Sequence, residues 1–206
     1  MRLGILGGTN LSKTLGKKYI DAGLNVVFGV RSDFDTEATE WKVLNRFYDR
    51  ICPYESAIIQ ADIILICSEN KFLPTICKVL RNTDLEEKII IDCTNSISKN
   101  RTSSSNTTQI KKAVENNNKV FKAFNNLGLD YPESDVLGII KETYFCGDGE
   151  FERVRVKRLI ELIGFKGIDV GTINNAYLLE AFYQLSKEIT FQKREKSNYH
   201  FKLISV

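Results

Sequence analysis

The chain is poor in the groups from which many active sites are built. Its 206 residues include one histidine, His200, near the C-terminus. That argues against a His-ligated metal and against a His-dependent nucleophile triad, so no metal site is expected. The five cysteines, Cys52, Cys67, Cys77, Cys93 and Cys146, form no C-x-x-C pair. Cys67, Cys93 and Cys146 fall in or at the ends of apolar runs, the pattern of small buried thiols in a reducing compartment. No apolar run reaches the roughly 18 residues that would span a membrane. A net charge of +3 is too small to argue for a nucleic-acid partner. The one basic run, Arg153, Arg155, Lys157 and Arg158, is flanked by Glu150, Glu152 and Glu161 and reads as a solvated helix face. The first apolar strand starts at residue 2, which leaves no room for a secretory signal, and a cytoplasmic location is expected.

With 43% hydrophobic and 27% charged residues, the chain is of ordinary globular composition and long enough to bury a sizeable core. Apolar strand-like runs at Leu3 to Leu6, Leu24 to Gly29, Arg50 to Cys52, Asp62 to Cys67, Lys88 to Asp92 and Val120 to Phe124 alternate with amphipathic segments. The latter are Leu11 to Ala22, Asp35 to Phe47, Tyr54 to Ala61, Lys71 to Leu80 and Gln109 to Glu115. Ser96 to Thr108 reads as a polar loop. Continuous apolar strands between helices predict an α/β fold, a Rossmann-type doubly wound parallel sheet. The division is a dinucleotide-binding domain over 1–142 and a C-terminal extension over 143–206 packed on the same sheet. In that extension Tyr144 to Gly147 and Lys166 to Val170 read as strands, Glu150 to Ile163 as a helix, and His200 to Val206 as a docking strand. The long helix from Asn174 to Phe191 is apolar over a wide face. It suits either a homodimer contact or the cover of this sheet's own end.

The most informative stretch is MRLGILGGTNLS. A strand runs into Gly7-Gly8-Thr9-Asn10, and a helix starting near Leu11 follows at once. Strand, glycine turn and helix N-terminus together make a cradle for a dinucleotide pyrophosphate. Two of the three glycines of G-x-G-x-x-G are missing in either reading frame, so an ordinary strand-to-helix turn is the alternative. The second strand ends in Val30-Arg31-Ser32, roughly 20 residues on, where the adenosine ribose lies in such folds. A carboxylate there would select NAD. Arg31, with Ser32 beside it, suits a 2′-phosphate and selects NADP. Asp33 and Asp35 follow closely and would blunt that effect, and a merely solvated Arg31 is the alternative.

Ligands of such sheets bind beyond the C-terminal strand ends. The loops there, 7–10, 30–32, 67–70, 93–96 and 124–126, are rich in small polar residues: Ser68, Asn70, Thr94, Asn95, Ser96, Asn125 and Asn126. No acid–base pair stands out, since Glu69 and Asp92 are isolated. Hydride transfer, in which the protein supplies orientation and excludes water, fits this better than hydrolysis. Phe124 reads either as a core residue or as a wall of the cleft. Asn125 is expected to face the cleft.

The segments GILGGTNLSKTLG, NVVFGVRS, ADIILIC, IIIDCTN, VFKAFN, YFCGD and the closing FKL resemble the NADP-dependent oxidoreductases that act on the deazaflavin coenzyme F-420. They are also similar to the cytosolic NADPH-binding domain of the six-transmembrane epithelial antigen metalloreductases. The likeness runs from Met1 to about Leu185. It implies a Rossmann domain, often dimeric, that passes hydride between NADP(H) and a flavin or deazaflavin, a small-molecule acceptor. By the same likeness Gly7, Gly8, Thr9, Asn10 and Leu11 line the pyrophosphate, Arg31 and Ser32 hold the 2′-phosphate, and Cys67 and Ser68 flank the nicotinamide ribose. Asn95, Ala123, Phe124 and Asn125 border the nicotinamide and the acceptor ring. The chain departs from the family in a turn one glycine shorter, in Ser12 at the last glycine, in Val30, and in Ser68-Glu69 where a proline is usual. Those departures leave a second reading open, a non-catalytic dinucleotide-binding protein.

Overall fold

The structure, a computed structural model, describes residues 1–96, 105–114, 119–131, 139–193 and 199–201. Eight strands form one sheet in the order β3-β2-β1-β4-β5-β6-β7-β8. They are β1 (Arg2–Leu6), β2 (Asn25–Val30), β3 (Ile51–Pro53), β4 (Ile63–Ile66), β5 (Ile89–Asp92), β6 (Val120–Ala123), β7 (Glu142–Gly147) and β8 (Lys166–Asp169). The central strands are uniformly buried because helices cover both faces, which is why they read as unbroken apolar runs. The chain leaves β1 toward β2 and β3, then crosses back to β4 on the other side of β1. This switch point lies between β1 and β4, where open α/β sheets bind ligands.

The helices are α1 (Asn10–Asp21), α2 (Thr39–Leu44), α3 (Tyr54–Gln60), α4 (Leu73–Arg81), α5 (Asn106–Ala113), α6 (Glu150–Leu162) and α7 (Ala176–Lys193). On one face Leu3 and Ile5 meet Leu11, Leu15 and Tyr19 of α1, Leu44 of α2, and Val156 and Ile160 of α6. On the other, Leu6, Ile64 and Ile66 meet α3, α4 and α5, with Ala176 and Leu179 of α7. Among the described residues no helix is long and apolar enough to cross a membrane.

The sheet is parallel except at one pair. β6 and β7 run antiparallel, with Phe121 opposite Gly147 and Ala123 opposite Phe145. A parallel return needs a crossover helix. The described part of the β6–β7 connection holds only a 3₁₀ turn at Asn125–Leu127. Three local expectations change. The helix expected over 35–47 is only α2, because Asp35 spends its side chain on a turn, accepting from the N–H groups of Glu37 and Ala38, and a 3₁₀ stretch replaces the helix after Leu44. α5 begins inside the expected polar loop, since the Ser105 side chain caps it. At the C-terminus, residues 199–201 form no strand, and 202–206 lie outside the described residues, as do 97–104 of the polar loop.

Close approach of helix to sheet rests on Gly16 of α1. A methyl group there would fall 2.2 Å from the Phe28 ring of β2, which is itself held by the stacked ring of Phe47 at 5.0 Å. Gly16→Ala gains helix propensity but overpacks this contact. It is expected to destabilise the fold by about 1–3 kcal/mol in urea melts.

Candidate functional site

The glycine turn is shorter than a dinucleotide turn usually is, and hydroxyl groups take over from the missing glycines. Gly7 has φ +110°, and a Cβ there would lie 2.7 Å from Ser68 Cα, so the turn and the end of β4 touch backbone to backbone. Thr9 is the N-cap of α1. Its Oγ1 accepts from the Ser12 N–H, and the Thr9 N–H donates to Ser12 Oγ, closing a capping box. Both hydroxyls also donate to the Cys67 carbonyl, Thr9 at 2.8 Å and Ser12 at 3.2 Å. Ser12, at the last glycine position, is fully buried. The shortened loop is therefore strapped to β4. The Leu11 N–H donates to the Leu129 carbonyl at 2.9 Å, so the loop after β6 lies on the helix start. The N–H groups of Gly8 and Asn10 make no hydrogen bond among the described residues.

At the end of β2, Arg31 is not a free cation. Its Nη1 donates to Asp33 at 3.0 Å, its Nε lies 3.4 Å from Glu40 Oε1, and its guanidinium stands 5.3 Å from the Phe72 ring centroid. Ser32 is exposed. Asp33 thus lies on Arg31, and Asp35 turns away into its own loop. Nothing in the local pattern marks Glu40 as part of this cluster. It is buried on α2, and a Cβ on Gly8 would fall 2.3 Å from Glu40 Cβ. Beneath this cluster lies Tyr54, whose hydroxyl burial pushes well above its usual range, with the Glu40 charge adding to the effect. Glu69 is half exposed and pairs with Lys71 at 2.8 Å.

Asp92 is not isolated either. Lys122 lies in the middle of β6 with its side chain fully buried. Its Nζ donates to Asp92 Oδ2, the Thr94 carbonyl and Glu180 Oε1, each at 2.7 Å. Asp92 also accepts from the hydroxyls of Thr94 at 2.7 Å and Thr107 at 2.6 Å. A lysine inside an apolar strand, beside a neighbouring strand that ends in aspartate, was the sequence signal for this ion cluster. Burial pushes the Lys122 ammonium down. The charges and hydrogen bonds of Asp92 and Glu180 outweigh it, and the net shift is upward.

This cluster positions the asparagines at the strand ends. Asn95 Nδ2 donates to the Asn125 carbonyl at 2.8 Å. Asn125 Nδ2 donates to Asn95 Oδ1 and to the Leu179 carbonyl of α7, both at 2.9 Å. Asn125 is fully buried and faces Asn95 and α7 rather than an open cleft. Phe124 makes that turn. It has φ +61°, a left-handed conformation costing about 1–2 kcal/mol in a non-glycine residue, and its N–H is held by Thr143 Oγ1 at 3.1 Å. Its side chain packs edge-on against Phe165 in the core, and Ala123 is buried in β6. Of the expected site residues, Gly7 and Thr9 meet Cys67 and Ser68 across the switch point, with Gly8, Asn10 and Leu11 in the same turn and helix start. Arg31 lies on the β2 side, and Asn95, Ala123, Phe124 and Asn125 gather at β5 and β6. Burial pushes the Cys93 thiol up, with Cys67 beside it, and lifts Cys146 to about 12.

The residues fit a dinucleotide by three marks. Ser68 Oγ is buried and has no hydrogen-bond partner among the described residues, next to the backbone approach at Gly7. The N–H groups of Gly8 and Asn10 are open at a helix N-terminus. Arg31 Nε makes no hydrogen bond.

Fold and turn together define a Rossmann-type α/β protein with its cleft at the switch point. Residues 2–96 match the family described as NADP oxidoreductase, coenzyme F420-dependent. Among solved structures, a protein of Arthrobacter sp. FB24, provisionally named an F420-dependent NADP-reductase, superposes with a TM-score of 0.79 at 17% identity. That match covers 98% of this chain and 99% of the other. A hypothetical protein of Sinorhizobium meliloti, SMa0349, gives 0.65 at 19% identity over 84% and 86% of the two chains. A reductive aminase of Aspergillus terreus, solved with NADPH and ethyl levulinate, gives 0.63 at 12% identity, covering 94% of this chain and 62% of that one. At these identities the likeness is one of fold.

The ion cluster yields a stability test. Lys122→Met leaves two buried carboxylates without their cation and is expected to cost about 3–5 kcal/mol. Glu180→Gln costs less, because Lys122 keeps Asp92. The folded state holds the Lys122 proton more tightly than the unfolded state does. Its contribution is therefore whole below the ordinary lysine value of 10.5 and is lost as pH climbs through the raised folded value. Urea melts should show a gap between wild type and Lys122→Met that is constant at neutral pH and narrows in strong alkali.

Proposed function

We propose that the chain binds NADP(H) across the C-terminal ends of β1, β2, β4 and β5 and passes hydride between it and a flavin or deazaflavin. The observation that carries this reading is Arg31 at the end of β2, where a dinucleotide's ribose lies, paired with an open glycine-turn helix start. Gly8 and Asn10 would offer N–H groups to the pyrophosphate, and Ser68 its unpartnered hydroxyl to the nicotinamide-side ribose. When bound, NADPH supplies the hydride, and a proton from solvent completes the reduced acceptor.

The protein's part is placement. Hydride transfer needs donor and acceptor carbons held roughly 3–3.5 Å apart with water excluded. Asn95 is fixed by Asn125 on one side, and its carbonyl accepts from Asn70 Nδ2 at 2.8 Å on the other. A neutral amide held this way can orient a carboxamide without adding charge. Asn125 and Phe124 act through Asn95 as positioning residues. None of these groups needs to exchange a proton.

A second reading, dinucleotide binding without catalysis, rests on the shortened glycine turn, tied to β4 by Thr9 and Ser12, and on the Glu69 carboxylate beside the cleft. Single-turnover mixing of NADPH with flavin and deazaflavin acceptors separates the two. Acceptor reduction supports the oxidoreductase. Binding without reduction supports the binding protein. Arg31→Ala is expected to remove most of an NADPH-over-NADH preference of about 1.5–3 kcal/mol and to leave NADH affinity nearly unchanged, measured by calorimetry.

The proposal includes a homodimer. Leu178, Ala181 and Leu185 are exposed at helical spacing on α7. Leu178 and Leu185 are about half exposed, a face suited to a second copy. Light scattering should give a dimer mass, and Leu185→Glu should shift it to a monomer.

A further inference from the structure

Glu40 is a buried carboxylate that neither the family likeness nor the hydride chemistry requires. It lies between the second glycine of the turn and the guanidinium at the end of β2. Its Cβ, Cγ and Cα all crowd the position a Gly8 side chain would take, at 2.3, 2.6 and 2.9 Å. Its carboxylate is 3.4 Å from Arg31 Nε, and its side chain is only 9% exposed. Gly8 is thus needed by α2, and the space between Gly8 and Arg31 is filled by the chain itself.

We propose that Glu40 competes with the adenosine 2′-phosphate for Arg31, so that entry of NADP(H) lifts α2 off the glycine turn. This rests on the NADP(H) reading above. A phosphate on Arg31 brings a dianion beside a buried carboxylate, and like charges at that range repel strongly. Glu40 would also lose its cation, which a buried carboxylate tolerates poorly. With Cβ and Cγ packed on Gly8, the carboxylate can turn only about its last two bonds, inside a space that is already buried. Movement of α2 would carry it out of that space. α2 is suited to that. It has six residues, no side-chain cap at Ala38, and a 3₁₀ stretch rather than further helix after it. The charge of Glu40 is then specificity-determining: it weakens binding of the 2′-phosphorylated cofactor more than that of the unphosphorylated one.

The chain carries its own reporter. Trp41, its one tryptophan, follows Glu40 on α2 and sits 6.0 Å from the Phe34 ring. The probes are 2′,5′-ADP and 5′-AMP, which differ in the 2′-phosphate. The expected result is a change in Trp41 emission on titration with 2′,5′-ADP and none with 5′-AMP. Glu40→Gln keeps the packing on Gly8 and removes the charge. It should tighten 2′,5′-ADP and NADP⁺ by about fivefold or more in calorimetry, as removal of a competing state does, and change NAD⁺ less.

Three results would overturn the proposal. One is equal NADP⁺ affinity in wild type and Glu40→Gln. Another is loss of NAD⁺ binding in Glu40→Gln, which would make Glu40 a ribose-binding carboxylate. The third is binding of 2′,5′-ADP with no change at Trp41. If neither protein binds NADP⁺ or NAD⁺, the cofactor reading fails as well. If wild type binds NADP⁺ as tightly as the variant does, only the competition by Glu40 fails.

Discussion

The ammonium group of Lys122 is the point on which the site depends. It joins three parts of the chain that share no local sequence: the end of β5 through Asp92, the middle of β6, and α7 through Glu180. Desolvating three charged groups is expensive, and no gain in stability over an apolar core is implied. What the cluster provides is uniqueness of arrangement. A one-residue slip of β6 would turn Lys122 to the other face and strand two carboxylates in the core. Register, the seat of α7 and the direction of the asparagines at the strand ends are therefore set together. Asn95 and Asn125 are precise because the lysine beneath them is.

The glycine turn shows a different solution to a constraint usually met by small residues. A third glycine lets the first helix of a dinucleotide fold pack close to the sheet. Here Ser12 occupies that position and uses its hydroxyl as a tie, donating with Thr9 to one carbonyl of β4. Close approach is kept, and a backbone acceptor at the strand end gains two donors. The same economy explains why Gly7 and Gly8 remain. One meets the backbone of Ser68, the other the Cβ and Cγ of Glu40, and neither position has room for a side chain.

Much of the fold was legible because it follows from burial. DIILIC and KIIID are strands covered on both faces, and such strands show as continuous apolar runs. The antiparallel pairing of β7 was not legible, since a strand looks the same in either direction and only its connection tells. In the site, the residues set by the strand–turn–helix order were legible: Gly7 to Asn10 between β1 and α1, and Arg31 after β2. The residues that answer them from far along the chain were not. Glu180 lies 58 positions from Lys122, and nothing in an amphipathic helix marks one glutamate as the buried one. Glu40 was hidden for the same reason. It reads as an ordinary charge on a short helix until its neighbour proves to be Gly8.

The two edges of the sheet bear on how copies of this chain can meet. β3 is three residues long and ends in Pro53, which has no N–H to offer a further strand. β8 is four residues long, with Lys166 and Asp169 exposed at its ends. Neither edge is a template on which another strand could extend the sheet, and short or charged edges of this kind discourage aggregation. Among the described residues, strand addition is disfavoured at both edges. Association is left to the helical faces, so an assembly of this chain would be held by side chains and leave the backbone ladder of the sheet, with the cleft at its switch point, unaltered.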